Sequence, residues 1–558
     1  MKIVECVPNI SEGRDKQVLE SVAASVRAVP GISLLDVDAG ADTHRTVFTF
    51  VGDPDAVAEA AFQLAATATR LIDMRAHHGA HARLGAVDVI PFVPVGGGAT
   101  MDDCVELARQ VGARLAHELA IPVYLYERAA THPSRQSLAE IRSGEYEGLS
   151  QKLLDPFWKP DFGAATFVPK SGATVVGARP FLVAYNVDLN TDDQSLAHEI
   201  ALSLREQGRG QRGPDGKLVK DRDGNLVRTP GRLKAVRAVG WFIPEFRRAQ
   251  ISMNLLDYNV TPPHAAFDAA REEARKLGAR VTGSELVGLV PREALLMAGR
   301  HYLSAQGKTP AAPEPDLITA ARLSLGLDDV KPFDPQAGVI EYRLQSRPHG
   351  WAALPVTGFV DELSRATPAP GGGSASALIG ALGAGLSAMV AALTHGTAKS
   401  DASSRSELVA LGERAQRLKD VLLLAIDRDS AAFDAIVAAR RLPKKTEAEQ
   451  SARLAAIQAA TRAATDVPLS VVEVSAEIAA LAVEAATLGL SAAASDCGVA
   501  AWSARAAAEG AALNVRINLP GLESALERDA YSERLAAALE RARASCRQAL
   551  ALVDDKLG

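Results

Sequence analysis

Cysteine is scarce in this 558-residue chain, which has four of them. Because they are few and widely spaced, we expect small buried thiols and neither a disulfide framework nor a zinc knuckle. A surplus of charge of one sign is also missing, since 61 basic residues stand against 67 acidic ones and the net charge is −6. This balance gives no indication of nucleic-acid binding and is typical of a soluble globular protein. The cysteines are Cys6, Cys104, Cys497 and Cys546.

An apolar secretory segment is missing from the N-terminus, where Glu5 interrupts the hydrophobic residues, so we expect no signal peptide and a cytoplasmic protein. One uncharged stretch, residues 374–394, is long enough to cross a bilayer. It is rich in Ala, Gly and Ser and lacks flanking aromatic residues. Gly380, Gly383 and Gly385 suit close helix packing. We therefore predict a helix buried in a soluble bundle and no membrane span.

Aromatic residues become rare after residue 352. Of 14 Phe, 8 Tyr and 4 Trp, only Phe359, Phe433, Trp502 and Tyr531 lie beyond it, and alanine dominates there. This composition predicts an almost entirely helical region. Before it, short apolar runs alternate with amphipathic stretches, which predicts an α/β region. The expected strands are residues 3–7, 33–37, 46–51, 87–95, 123–126, 181–189, 235–243, 250–260 and 281–290, and the expected helices are 16–29, 54–72, 102–119 and 264–277.

The chain is too long for one hydrophobic core, because single cores stop growing at roughly 250–300 residues. The α/β pattern restarts midway, so two consecutive subdomains fit better than one sheet. A stretch rich in Pro, Asp and Gly then follows, as is typical of a linker. Two Asp-Gly turns within residues 211–231 predict a solvated hairpin. We predict subdomains at residues 1–180 and 181–326, a linker at 327–349 and a helical domain at 350–558.

Three of the eleven histidines lie in residues 77–81, which we call the histidine loop. A loop that enters a strand can hold side chains both exposed and still. His77, His78 and His81 therefore indicate a metal-free general acid or base. A zinc site is the first alternative, although Gly79 disfavours a helical turn and no zincin-type glutamate follows. Plain surface histidines are the second alternative.

A general base needs a partner that fixes its tautomer. Asp36 and Asp38 come at the end of the predicted strand 33–37, and we select Asp38 as that partner. A simple turn at residues 38–42 is the open alternative.

Two glycine-containing segments are candidates for ligand binding. Residues 163–172 form a loop bracketed by glycines, whose backbone can approach a planar ligand while Lys170 meets a carboxylate. The three glycines at 371–373 precede the long apolar helix and leave amide N–H groups free for an anion. A glycine hinge is the alternative for the second segment.

Carboxylates must supply most acid–base chemistry in the helical region, because His395 is the lone histidine there. Asp427 and Asp429 lie within an apolar helical pattern. Phe433 follows Asp429 by one helical turn on the same face, which favours Asp429 as the inward-pointing acid. Burial would raise its pKa and let it donate a proton near neutral pH. A solvated helix face is the alternative.

Together these motifs closely resemble the formimidoyltransferase-cyclodeaminase family, bifunctional folate enzymes of histidine degradation. The resemblance spans nearly the whole chain. It implies an α/β half made of two ferredoxin-like subdomains that form the transferase, followed by an all-α helical bundle, the cyclodeaminase. The segments that carry it are VECVPNISEG at 4–13, LDVDAG at 35–40, RTV at 45–47, the histidine loop, REQGRG at 205–210 and APGGGS at 369–374.

The resemblance also implies roles for single residues. His81 would take the proton from N5 of tetrahydrofolate as that nitrogen attacks N-formimino-L-glutamate and glutamate leaves. Asp429 would assist as 5-formiminotetrahydrofolate closes to the 5,10-methenyl product and ammonia departs. Tetrahydrofolate is then the one-carbon acceptor, no metal is expected, and the chain assembles as a homo-oligomer. Folate contacts fall on Gly163, Ala164, Ala165, Thr166, Phe167, Val168, Pro169, Lys170, Ser171 and Gly172.

Two functional alternatives stay open. The helical domain can be a folate-binding or oligomerising module without turnover, or the transferred group can be formyl, which differs from formimino by one atom. A basic cluster after the Asp429 helix is a candidate for binding a polyglutamylated folate tail, with a solvated surface as the alternative. The cluster consists of Arg440, Arg441, Lys444 and Lys445.

Overall fold

A computed structural model of the chain describes residues 2–41, 43–79, 82–222, 224–244, 246–344, 350–397 and 402–558. The chain divides into two compact units. The first unit comprises Met1–Ala294 and Leu325–Leu344, and the second comprises Leu295–Ser324 and Gln345–Gly558. The first unit contains the β-sheets and the second is helical. The predicted fold class, α/β followed by all-α, is therefore confirmed.

A seven-stranded sheet forms the first half of the first unit. Its strands are β1 (Ile3–Cys6), β2 (Asn9–Ile10), β3 (Ser33–Gly40), β4 (Arg45–Gly52), β5 (Val87–Gly96), β6 (Val123–Glu127) and β7 (Thr174–Ala178). They pair in the order β1-β4-β2-β5-β7-β6, with β3 added beside β4 as an edge strand. The pairs that β7 makes with β5 and β6 are parallel, and the others are antiparallel. The five expected strands all form, whereas β2 and β7 were not predicted.

Three helices cover one face of this sheet, α1 (Lys16–Arg27), α2 (Pro54–Leu71) and α3 (Met101–Leu119). Asp15 caps α1 through the amides of residues 17 and 18, and Thr100 forms a capping box at the start of α3. Their apolar faces pack on buried strand residues such as Phe48 and Phe50. Two short helices, α4 (Leu138–Ile141) and α5 (Glu145–Lys152), belong to a second core with β6 and β7.

The second half of the first unit has a four-stranded antiparallel sheet. The helices and strands of this half are β8 (Val183–Leu189), α6 (Gln194–Leu204), β9 (Arg209–Gly210), β10 (Arg228–Thr229), β11 (Val236–Ile243), β12 (Arg248–Leu255), α7 (Pro263–Lys276) and β13 (Val281–Val287). The sheet order is β11-β12-β8-β13, so β8-α6-β11-β12-α7-β13 is a ferredoxin-like arrangement. The pair β9–β10 closes the predicted hairpin.

Four helices follow, α8 (Arg292–Ala305), α9 (Glu314–Ser324), α10 (Pro335–Gly338) and α11 (Ile340–Leu344). The last two fall in the stretch predicted as a linker. They belong to the first unit, where Val339 forms a β-bridge with Val290 and the Glu341 carboxylate accepts from the backbone N–H of Arg292.

The helical part of the second unit continues with α12 (Val356–Leu363), α13 (Gly372–His395), α14 (Ala402–Arg440), α15 (Glu447–Leu488), α16 (Ala494–Asn518) and α17 (Ala525–Leu557). By length and composition α13 could cross a membrane, and 56% of its most apolar stretch is buried within the protein. A Cβ at Gly380 would lie 2.6 Å from Leu422, and one at Gly383 would lie 2.9 Å from a carbonyl oxygen of α16. These two glycines therefore allow the close packing predicted for them, whereas Gly385 faces open space.

Candidate active sites

The described part of the histidine loop, residues 77–79, is fixed against the residues that precede β4. The ring of His77 stacks on that of His44, with centroids 4.2 Å apart and planes at 10°. His77 Nε2 donates to the carbonyl oxygen of His44 at 2.9 Å, and Arg83 Nε donates to His77 Nδ1 at 3.3 Å. Because Nδ1 accepts from a guanidinium, His77 is neutral with its proton on Nε2. Burial and the neighbouring positive groups lower the pKa of His77. Both nitrogens are thus occupied by the protein, which argues against His77 as a metal ligand.

Glu12 holds the other ring of this stack. Its Oε1 accepts from the backbone N–H groups of residues 13–15 at 2.7–3.0 Å and lies 3.2 Å from His44 Nε2. The Nδ1 atom of His44 lies 3.0 Å from the carbonyl oxygen of His78. Burial alone would raise the pKa of Glu12, but these backbone hydrogen bonds and His44 hold it below its usual value. Both nitrogens of His44 thus lie within hydrogen-bond distance of oxygen atoms, which fixes the ring that stacks on His77.

Arg83 joins the histidine loop to the start of α5. Its guanidinium pairs with Glu145 at 2.9 Å and with Glu147 at 2.6 Å, while Arg83 itself is buried. A cavity of about 440 Å³ opens here. Its lining residues are His78, Gly79, Arg83, Gly144, Glu145 and Glu147.

His81, the predicted base, lies outside the described residues. The chain on both sides of it is tethered. A Cβ at Gly79 would lie 2.5 Å from the carbonyl oxygen of Thr43, and the N–H of Leu84 donates to Asp88 Oδ1 at 3.0 Å.

Asp38, its predicted partner, is exposed on the edge strand β3 opposite Val47. It makes no hydrogen bond to a described residue, and its charge acts on Arg45. Its pairing with His81 stays a prediction.

The predicted folate loop, residues 163–172, meets the exit of the histidine loop. Ser171 and Gly172 donate to the carbonyl oxygen of Val168, and Ala86 donates to that of Ser171 at 2.8 Å. Gly172 has φ +67° and leaves no room for a Cβ, which would lie 2.2 Å from the carbonyl oxygen of Leu84. Residues 163–166 are exposed. The structure thus brings the two predicted segments together.

The ammonium group of Lys170, in contrast, already has a hydrogen-bond partner in the protein. Its Nζ donates to the carbonyl oxygen of Arg70 at 2.9 Å. A ligand carboxylate would have to share this ammonium group with that carbonyl.

The carboxylate of Asp429 lies against the N-terminus of α13. Ser374 Oγ donates to Asp429 Oδ2 at 3.2 Å, and a Cβ at Gly373 would lie 2.1 Å from Oδ1. Burial raises the pKa of Asp429, against the lowering effect of the hydrogen bonds from Ser374. The predicted inward orientation is confirmed, and burial acts on the pKa in the predicted direction. The sequence predicted that the glycines at 371–373 could bind an anion at the start of α13. In the structure the carboxylate of Asp429 lies at this helix start.

A cavity of about 420 Å³ opens beside Asp429. Phe433 lines it, as its spacing from Asp429 predicts, and Arg440 reaches its wall from the basic cluster. Asp427 has another role, because its Oδ1 accepts from the backbone N–H of Trp351 at 2.6 Å. The other lining residues are Pro368, Ala369, Gly371, Gly372, Gly373, Ser430, Ile436, Ala464, Asn514, Ile517 and Asn518.

No set of three or more His, Cys, Asp or Glu side chains is arranged to hold a metal ion within the described residues.

Known families match nearly all of this chain. Residues 3–179 match the formiminotransferase domain, N-terminal subdomain, residues 184–345 the formiminotransferase domain, and residues 355–541 formiminotransferase-cyclodeaminase. The formimidoyltransferase-cyclodeaminase of Rattus norvegicus is 43% identical over 547 residues, which are 97% of each chain. The chain belongs to the formimidoyltransferase-cyclodeaminase family. The resemblance seen in the sequence motifs is thereby confirmed.

Two shorter relatives match parts of this family member. The glutamate formimidoyltransferase of Streptococcus pyogenes serotype M1 is 41% identical over 305 residues, 55% of this chain and 94% of its own length. The methenyltetrahydrofolate cyclohydrolase of Methylorubrum extorquens is 42% identical over 165 residues, 30% of this chain and 79% of its own length.

Sequence reasoning missed several residues around the histidine loop. Glu12 and Arg45 stand in the motifs that carry the family resemblance, but no role was assigned to them. Their signal was a charged residue close to an apolar strand, since Glu12 follows β2 and Arg45 begins β4. Asp88 and Arg142, which pair with each other, gave no signal because they are 54 residues apart.

Proposed function

We propose that the histidine loop is the transferase site, and the Asp429 cavity the cyclodeaminase site, of one bifunctional folate enzyme. The chain is a glutamate formimidoyltransferase and formimidoyltetrahydrofolate cyclodeaminase of histidine degradation. It moves the formimino group from N-formimino-L-glutamate to tetrahydrofolate and then forms 5,10-methenyltetrahydrofolate and ammonia. One observation carries the site assignment: the two cavities lie in different family-matched regions, residues 3–179 and 355–541.

In the transfer step, N5 of tetrahydrofolate attacks the formimino carbon, and His81 accepts the proton that N5 loses. A tetrahedral intermediate forms, and glutamate leaves as its amine takes a proton. Asp38 would hold the His81 ring in the required tautomer. The folate would lie along residues 163–172, which meet the chain just after His81 at Leu84.

In the cyclisation step, N10 bonds to the formimino carbon and the former imino nitrogen leaves as ammonia. The leaving nitrogen must gain a proton, and Asp429 is placed to supply it. Burial raises the pKa of Asp429, which keeps the carboxyl protonated to higher pH than an exposed one. The cavity beside it supplies the space for the folate.

The basic cluster and the apolar surface suggest further properties of the enzyme. Arg440, the first residue of the basic cluster, lines the Asp429 cavity. The cluster would therefore bind the polyglutamylated tail of a folate held in that cavity. Exposed apolar side chains on the neighbouring helices α13 and α16 support assembly into a homo-oligomer, which light scattering would measure. The exposed apolar side chains on α13 and α16 are Ile379, Leu382, Met389, Leu393, Val499, Trp502, Leu513 and Ile517. We also propose that the enzyme is cytoplasmic.

A paired substitution experiment tests the two sites. His81→Ala should abolish release of glutamate from N-formimino-L-glutamate and spare ammonia release from 5-formiminotetrahydrofolate. Asp429→Ala should do the reverse. Loss of both activities in either variant would contradict two separate sites. Wild-type protein that transfers the group but never releases ammonia would make the helical domain a binding module, and a preference for formylglutamate would replace the formimino group by formyl.

A further inference from the structure

Arg45, the first residue of β4, has no partner for its guanidinium group among the described residues. Arg45 is half-buried, its Nε atom is buried and makes no hydrogen bond, and no described carboxylate forms an ion pair with the side chain. Buried polar atoms in folded proteins are nearly always hydrogen-bonded, because an unpaired one has lost its water without replacement. An unpaired arginine beside a candidate active site therefore indicates a ligand.

The groups around Arg45 leave it without a dedicated counter-ion. Asp88 is buried, but Arg142 pairs with its Oδ2 and the N–H of Leu84 donates to its Oδ1. Burial and repulsion from Arg142 lower the pKa of Arg45, against the attraction of Asp88 and Asp38. Asp38 is exposed, so water and salt screen its charge. Arg142 thus pairs with the buried carboxylate of Asp88, and Arg45 is left without an ion pair of its own.

Both arginines come from segments that border the histidine-loop cavity. Arg45 directly follows His44, whose ring and carbonyl oxygen hold His77. Arg142 lies just before Gly144 and Glu145, which line the cavity. Each arginine is therefore close in sequence to a residue that holds His77 or lines this cavity.

We propose that Arg45, supported by Arg142, binds a carboxylate of the amino-acid donor, N-formimino-L-glutamate. This inference rests on the proposed function, which supplies the identity of the donor. A guanidinium presents a planar pair of N–H donors that matches a carboxylate. The donor carries two carboxylates and the glutamate product keeps both, so capture of one would hold the donor while N5 attacks its formimino carbon. The glutamate of the folate offers the same chemistry, and the experiment below separates the two sources.

Calorimetric titration of the full-length protein measures this contact without turnover. N-formimino-L-glutamate is titrated alone and with 5-methyltetrahydrofolate, whose N5 is blocked. We expect Arg45→Gln to bind the donor roughly 100-fold more weakly than wild type, since truncating one partner of a desolvated charge pair has effects of this order. Arg45→Lys keeps the charge but not the planar group and should recover part of the affinity. Arg109→Gln, at an exposed arginine of α3, is the matched control and should bind like wild type.

The α-amide and γ-amide of the donor identify the carboxylate. Wild type should bind one of these amides more weakly than the donor itself, and Arg45→Gln should no longer distinguish the two compounds. Equal donor binding by Arg45→Gln and wild type overturns the inference, as does the absence of donor binding in both titrations. Weaker binding of tetrahydrofolate with unchanged donor binding also overturns it and assigns Arg45 to the folate.

Thermal denaturation checks the folding of each variant, and the amide series on wild type decides the matter if Arg45→Gln does not fold. Failure of the proposed function has a different signature. Transfer that persists in His81→Ala would refute the base while leaving these binding constants unchanged.

Discussion

Replacing Gly373 with alanine would displace the carboxylate of Asp429. The added Cβ would lie 2.1 Å from Oδ1 and 2.5 Å from both Cγ and Oδ2, whereas ordinary van der Waals contact begins at 3.4 Å. The carboxylate must therefore retreat by roughly 1 Å, and a misplacement of that size at a reacting group can cost about 100-fold in rate. We expect cyclisation in Gly373→Ala to fall by about two orders of magnitude and transfer to stay at the wild-type rate.

Gly372→Ala is the matched control, because its Cβ would meet only the Asn514 side chain at 3.8 Å. Both glycines line the same cavity at the start of α13. Ammonia release and absorbance of the methenyl product measure cyclisation, and glutamate release measures transfer in the same preparation. Full cyclisation in Gly373→Ala would refute the requirement for Asp429 at this position. An equal loss of cyclisation in Gly372→Ala would show that the effect comes from disturbance of the start of α13 and not from displacement of the Asp429 carboxylate.

Three further substitutions test other parts of the structure. Asp429→Asn should lower the rate of cyclisation about 10²–10⁴-fold. Because burial raises the pKa of this carboxyl, the stability of the wild type falls as pH rises through that pKa. Denaturant titration should therefore find the variant more stable than wild type at about pH 8 and no more stable at about pH 4. Gly79→Ala should displace the histidine loop and impair transfer, measured as glutamate release, whereas Gly148→Ala in α5 meets nothing within 4 Å and should leave it unchanged. Glu12→Gln should lower the free energy of unfolding by about 1–3 kcal/mol near neutral pH. Because the pKa of Glu12 is lowered, this loss of stability should shrink as pH falls through that pKa. Amide hydrogen exchange of residues 13–15 measures the loss, and a loss that does not depend on pH would contradict the ionic role of Glu12.

Local periodicity sufficed for most of the fold. The strands at 46–51 and 123–126 and the helix at 54–72 appear in the structure as β4, β6 and α2, within one residue at each end. Strand β7 escaped prediction because all its residues are buried, so it lacks the alternation that marks a half-buried strand. Its pairing partners β5 and β6 lie far away in sequence, and only the folded sheet brings them beside it.

Features of the candidate sites that involve residues close in sequence were predictable, whereas features that join residues far apart in sequence were not. Asp429 and Phe433 are one helical turn apart, so helical periodicity alone placed both on the face that lines the cavity. The stack of His44 on His77 joins residues 33 positions apart, so the sequence contains no sign that the His77 ring, a candidate acid or base with metal binding as the alternative, is held in this way. The unpaired guanidinium of Arg45 is a property of its three-dimensional neighbours, and no pattern along β4 reveals it.

Helix α13 has a consequence for synthesis of the chain. It is the most apolar helix of its unit, and its main packing partners α14, α15 and α16 are all made after it. The end of α16 follows the end of α13 by roughly 120 residues, so at about 5–20 residues per second the ribosome needs on the order of 6–25 seconds to deliver all three partners. During that interval the face of α13 that packs on α16 stays uncovered. Nascent chains stalled before Asn518 should therefore be captured by chaperones, and fragments that end there should precipitate when expressed.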